Sequence, residues 1–147
     1  MKFFRVLSFC FLIAALSGCA SGESASSDRR IVSDVVLTLS LSEGEISIGD
    51  NLVATLNVQN VSARNRPLVF GSAFTHEFVV SRNGSRVDFV QEKNDALFAE
   101  REIVGSQALS LQKAFTFDVP GTYLVTARLL ADGFDGDLVA EVSVTQS

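Results

Sequence analysis

The sequence predicts an all-β fold, an antiparallel sandwich of about eight strands. Apolar and polar residues alternate with a period of two in five separate runs from Val35 onward, the mark of half-buried antiparallel strands. Between those runs stand Gly, Asn, Asp and Ser clusters of turn composition. No segment sustains a 3.6-residue period for long enough to supply the crossover helices of an α/β fold. A chain of 147 residues suits one such domain.

The runs follow in order. Val35, Leu37, Leu39 and Leu41 alternate with Thr38 and Ser40, and Leu52, Ala54, Leu56 and Val58 alternate with Thr55 and Asn57. Pro67-Leu68-Val69-Phe70 reads as a further short strand. Asn83-Gly84 is a favoured two-residue type I′ turn, because both residues tolerate positive φ. Folding about it sets Val80 opposite Val87 and Phe78 opposite Phe89, so both apolar pairs share one face. Residues 95–102 have room for one helical turn. Leu109, Leu111, Phe115 and Phe117 then alternate with Ser110, Gln112 and Thr116. Tyr123, Val125, Ala127 and Leu129 form the next run, and Leu138, Ala140, Val142 and Val144 the last. Pro120-Gly121-Thr122-Tyr123 places a Tyr at the start of a strand after a turn, as in the tyrosine corner of immunoglobulin-like sandwiches. The expected architecture is therefore immunoglobulin-like, over residues 31–147.

Ahead of the domain lies a targeting pattern. Met1-Lys2-Phe3-Phe4-Arg5 is a basic start, and residues 6–16 are apolar, far short of the ~20 residues a membrane-spanning helix needs. This fits a secretory signal peptide over residues 1–18. Leu16-Ser17-Gly18-Cys19 resembles the lipobox of bacterial lipoproteins. That resemblance implies cleavage after Gly18, lipidation at Cys19 and a chain held to the cell envelope by its acyl groups. Residues 19–30 are small and polar, the composition of a flexible tether. Ala20 stands where an Asp marks inner-membrane retention in many Gram-negative lipoproteins, so the periplasmic face of the outer membrane is the expected site if the source is Gram-negative. Cys10 is lost with the signal peptide, which leaves Cys19 alone and no internal disulfide.

Composition excludes several functions. The formal net charge of −5 deepens by two, to −7, once Lys2 and Arg5 are removed, so phosphate-neutralising nucleic-acid binding is not expected. Gly71-Ser72 and Gly105-Ser106 lack the second glycine of a nucleophile elbow, and His76 is the single imidazole. An edge or surface role is expected for His76. With no phosphate loop or dinucleotide fingerprint, neither enzyme activity nor a cofactor is expected. Asp132, Asp135 and Asp137 gather in one acidic segment as candidate calcium ligands, although Asp and Gly are also what a turn there would use. Asn60-Val61-Ser62 and Asn83-Gly84-Ser85 match the glycosylation sequon, and in a bacterial lipoprotein both are expected to be turn chemistry.

Residues 52–129 contain Leu56-Asn57-Val58-Gln59-Asn60-Val61-Ser62, Pro67-Leu68-Val69-Phe70-Gly71-Ser72, Glu77-Phe78-Val79-Val80 with Asn83-Gly84, Phe98, and Pro120-Gly121-Thr122-Tyr123. In order and spacing this series resembles the intracellular proteinase inhibitor BsuPI domain family. The chain departs from that family in having Glu77 for the usual Asp and no Trp. The resemblance implies a protein-binding sandwich that inhibits a protease. An envelope interaction or assembly module without inhibitory activity is the alternative. The candidate protein-binding residues are Leu97, Phe98 and Ile103 in the 91–107 connection, aliphatic and aromatic anchors among charges. The competing expectation is that Phe98 and Ile103 fold back and plug the end of the sandwich.

Overall fold

The computed structural model describes residues 25–146, so the predicted signal peptide, Cys19 and most of the tether lie outside the described residues. Eleven strands and one short helix follow in order: β1 (Ser27–Val32), β2 (Val35–Leu41), β3 (Glu45–Ser47), β4 (Asn51–Asn60), β5 (Arg66–Pro67), β6 (His76–Arg82), β7 (Ser85–Glu92), α1 (Asp95–Glu100), β8 (Glu102–Ile103), β9 (Ala108–Thr116), β10 (Gly121–Leu129) and β11 (Leu138–Thr145). Two sheets form the sandwich, one ordered β1-β2-β4-β9 and the other β3-β11-β10-β6-β7, with β5 and β8 paired apart. Every pairing is antiparallel except β3 with β11. This is the expected all-β, immunoglobulin-like sandwich.

The alternating runs explain the core. Leu52, Ala54, Leu56 and Val58 on β4 are fully buried, as are Val125 and Ala127 on β10 and Val142 on β11. Their polar neighbours face water on the outer sides of the sheets. Tyr123 packs on Phe117 with ring centroids 4.4 Å apart. Its hydroxyl donates to the Val119 carbonyl at 2.8 Å, the hydrogen bond that defines a tyrosine corner.

Three expectations are corrected. Pro67-Leu68-Val69-Phe70 contributes only the two residues of β5 and an isolated bridge from Phe70 to Ala131. The Asn83-Gly84 turn forms with both φ angles positive, 51° and 76°, but the register beyond it shifts. Ser81 pairs with Arg86 and Val80 with Asp88, so Val87 is an extra residue in a β-bulge. Phe89 therefore opposes Val79 on the outer face and is exposed, while Phe78 opposes Val90 and is buried. A single bulged residue has moved the rest of β7 onto the other face. Finally, β1 begins within the predicted tether, at Ser27.

That polar strand closes one side of the sandwich. β3 covers only Ser143–Thr145 of β11, which leaves the earlier half of β11 as an open edge. The Val139 N–H donates to Asp28 Oδ2 and the Glu141 N–H to Ser26 Oγ, both at 2.9 Å. The Arg30 guanidinium lies against Gly136, where a Cβ would collide with it. Gly136 also has φ +122°, a conformation that L side chains rarely adopt.

Candidate functional site

The 91–107 connection folds inward. Asn94 caps α1 by accepting the Leu97 N–H at 3.0 Å. Arg101, in left-handed conformation, ends the helix by donating its N–H to the Leu97 carbonyl. This single turn directs Leu97 into the core at 4% exposure, and β8 places Ile103 there at 2%. Phe98 is half-buried, 6.3 Å from the Phe70 ring and flanked by Lys93 and Arg101 over its face. Of the three expected binding residues, only Phe98 has surface to offer a partner.

Asn60 holds the far end of that connection. Fully buried, it donates through Nδ2 to the carbonyls of Arg64 (2.7 Å) and Ile103 (2.9 Å). Its Oδ1 accepts from the Ser62 N–H and hydroxyl. The sequon at Asn60 is thus turn chemistry with no free amide.

His76 is buried at 3% exposure, contrary to the surface role expected of it. It shares the inward face of β6 with Phe78 and Val80, and β6 is an inner strand between β10 and β7. Its Nδ1 lies 3.0 Å from Thr75 Oγ1, and its Nε2 faces Glu92 Oε2 at 3.6 Å, beyond hydrogen-bond reach. Lys113 holds Glu92 from β9 at 2.7 Å. Burial pushes the His76 pKa below its ordinary value of 6.5, partly offset by Glu92. The Thr75, His76 and Glu92 side chains follow the order of a nucleophile, base and orienting acid. However, Thr75 is fully buried and accepts the Asn94 N–H, so a substrate has no path to it.

The acidic segment does not gather its carboxylates. Asp137 is bound by the Arg128 guanidinium, which also pairs with Glu77 at 3.0 Å. Phe134 turns inward at 2% exposure. Among the described residues no three His, Cys, Asp or Glu side chains converge as metal ligands, and Asp132 with Gly133 takes a turn ahead of β11.

A concavity lies on the side opposite β1. A groove of about 240 Å³ runs between β7 and the end of β9, with Val80, Phe115, Phe117 and Tyr123 as its buried floor. Exposed Val87 and Val119 stand at its rim with Asp88 and Asp118. Arg82 occupies one wall, its guanidinium 5.5 Å from the Tyr123 ring centroid and 3.3 Å from the Tyr123 hydroxyl. Sequence reasoning missed this groove. Its lining comes from residues 80–88 and 115–123, two segments that only the packing of the sheets brings together.

No protein-family model matches the chain, and no curated protein sequence matches it. Solved structures show likeness in fold. A Paenibacillus cycloisomaltooligosaccharide glucanotransferase aligns with TM-score 0.55 and 16% identity, covering 84% of this chain. The sporulation control protein Spo0M of Bacillus subtilis aligns with TM-score 0.50 and 10% identity, also over 84% of this chain. The CARDB domain of a Pyrococcus furiosus protein aligns with TM-score 0.43 and 13% identity over 71% of the chain. This chain spans 15% of the glucanotransferase and 50% of Spo0M.

Proposed function

We propose that this is a lipid-anchored protein of the bacterial envelope whose sandwich acts as a protein-binding module, without catalytic activity. The observation that carries the binding reading is the open side between β7 and β9, where an apolar floor and exposed aliphatic rim adjoin two carboxylates. Such a combination suits recognition better than catalysis. The envelope address rests on the lipobox resemblance at Cys19.

Between the two binding readings, the interaction or assembly module is favoured over the proteinase inhibitor. An inhibitory loop must present its anchor residue to a protease cleft, whereas Leu97 and Ile103 are spent on the core and Phe98 packs against Phe70. The test joins acyl labelling in cells with a protease-inhibition panel. The wild type should take up fatty acid and sediment with membranes, Cys19→Ser should do neither, and no protease should be inhibited. Equal labelling of both forms would overturn the anchor, and stoichiometric inhibition of a protease would restore the inhibitor reading.

A further inference from the structure

We infer that the free edge of β9 accepts an extended strand from a partner protein, and that the adjoining groove takes one of its apolar side chains beside a basic residue. This deepens the binding-module reading and rests on it. The anchor test above turns on Cys19 and is independent of β9.

The edge follows from register. Residues of β4 and β9 pair so that their numbers sum to a constant, and the Asn60 N–H donates to the Gln107 carbonyl along that same register. In an antiparallel ladder hydrogen-bonded and non-bonded pairs alternate. Leu109, Leu111, Lys113 and Phe115 therefore spend their backbone groups on β4. The N–H and C=O groups of Ser110, Gln112, Ala114 and Thr116 point the other way, and β4 is the only strand that pairs with β9 among the described residues. All four side chains are exposed and uncharged.

Edges in native proteins are usually blunted by charge, proline, bulges or a covering element. The edge of β7 has such protection in its bulge at Val87 and its charges Arg86, Asp88 and Glu92. The edge of β11 is covered by β1. β9 carries one charge, Lys113, and Glu92 neutralises it. It has no proline and no bulge.

The groove supplies the specificity. Phe115 and Thr116 at the end of β9, and Phe117 directly after it, line the groove, so a strand laid along the edge passes the groove mouth. Backbone pairing would give affinity, and the pocket would select a side chain at alternate positions. Charge selects the flanking residue. Asp88 and Asp118 have no ion-pair partner among the described residues, while Arg82 is stacked on Tyr123 and donates to the Pro120 carbonyl. A lysine or arginine beside the apolar anchor matches this rim.

The test selects binders from a displayed library of random short peptides on the purified protein. Enriched sequences should be extended, with alternating apolar residues and a flanking Lys or Arg. Gln112→Pro removes one free N–H and none of the β4 ladder bonds, so it should keep the melting behaviour and weaken peptide binding at least about tenfold. Asp88→Lys with Asp118→Lys, both at exposed positions, should weaken binding comparably and reverse the preferred charge. Overturning results are no enrichment, enrichment of acidic peptides, or binding indifferent to both variants. Concentration-dependent self-association that is lost in Gln112→Pro would also overturn the inference, because a second copy would then be the occupant.

Discussion

His76 shows how one residue ties packing to solution behaviour. Its imidazole sits among Phe78, Thr75, Glu92 and, beyond Glu92, Lys113. The Thr75 hydroxyl, which donates to the Glu92 carbonyl at 3.3 Å, lies 3.0 Å from Nδ1, and Nε2 faces the Glu92 carboxylate. Burial disfavours the cation more than Glu92 favours it, so the folded-state pKa lies below 6.5. The unfolded chain therefore binds this proton first as pH falls. The contribution of His76 to stability is complete above pH 6.5 and declines below it, until the folded form is protonated as well. Thermal melts should show the wild type losing stability as the pH falls below about 6.5, starting above the range where most carboxylates titrate. His76→Gln should flatten that slope, and equal slopes in the two proteins would show that His76 does not titrate differently on folding. The sequence offered no sign of this burial, because a His beside Glu77 at a strand start has surface composition. It is the neighbouring strands, β7 and β10, that make β6 an inner strand.

Among the elements, the long strands were legible and the edges were not. Period-two alternation located β2, β4, β9, β10 and β11, since one face of each packs into the core and the other meets water. The type I′ turn of the β6–β7 hairpin was legible in Asn83-Gly84. Its bulge was not, because Val87 and Phe89 have the same apolar character as residues that face inward. β1 escaped detection for a related reason. Its exposed residues and edge position leave no apolar period, and its role is carried by Asp28, with Ser26 just ahead of the strand, accepting from the β11 backbone. Asp28→Ala should leave the Val139 N–H without that partner and cost about 1 kcal/mol in denaturant unfolding. Unfolding indistinguishable from wild type would mean that water replaces the carboxylate at no cost.

Across the whole molecule the two sides of the sandwich differ in kind. On one side β1 and β3 together cover the β11 edge, so the chain arrives from its predicted tether already bound to the body of the domain. On the other, β7 and β9 part around a groove floored by Phe115, Phe117 and Tyr123. The 91–107 connection, the most eye-catching candidate in the sequence, serves mainly to fill the core with Leu97 and Ile103. The groove was hidden from sequence reasoning because its parts come from β6, β7, β9 and β10, distant in the chain and joined only by sheet packing.

The central claim, one closed side and one open side, is tested most directly by amide hydrogen exchange of the dilute protein, resolved residue by residue. The amides of Leu111, Lys113 and Phe115 should be protected by the β4 ladder, while those of Ser110, Gln112, Ala114 and Thr116 exchange rapidly. On the closed side, Val139 and Glu141 should be protected by Asp28 and Ser26. Uniform protection along β9, or rapid exchange at Val139 and Glu141, would contradict the account.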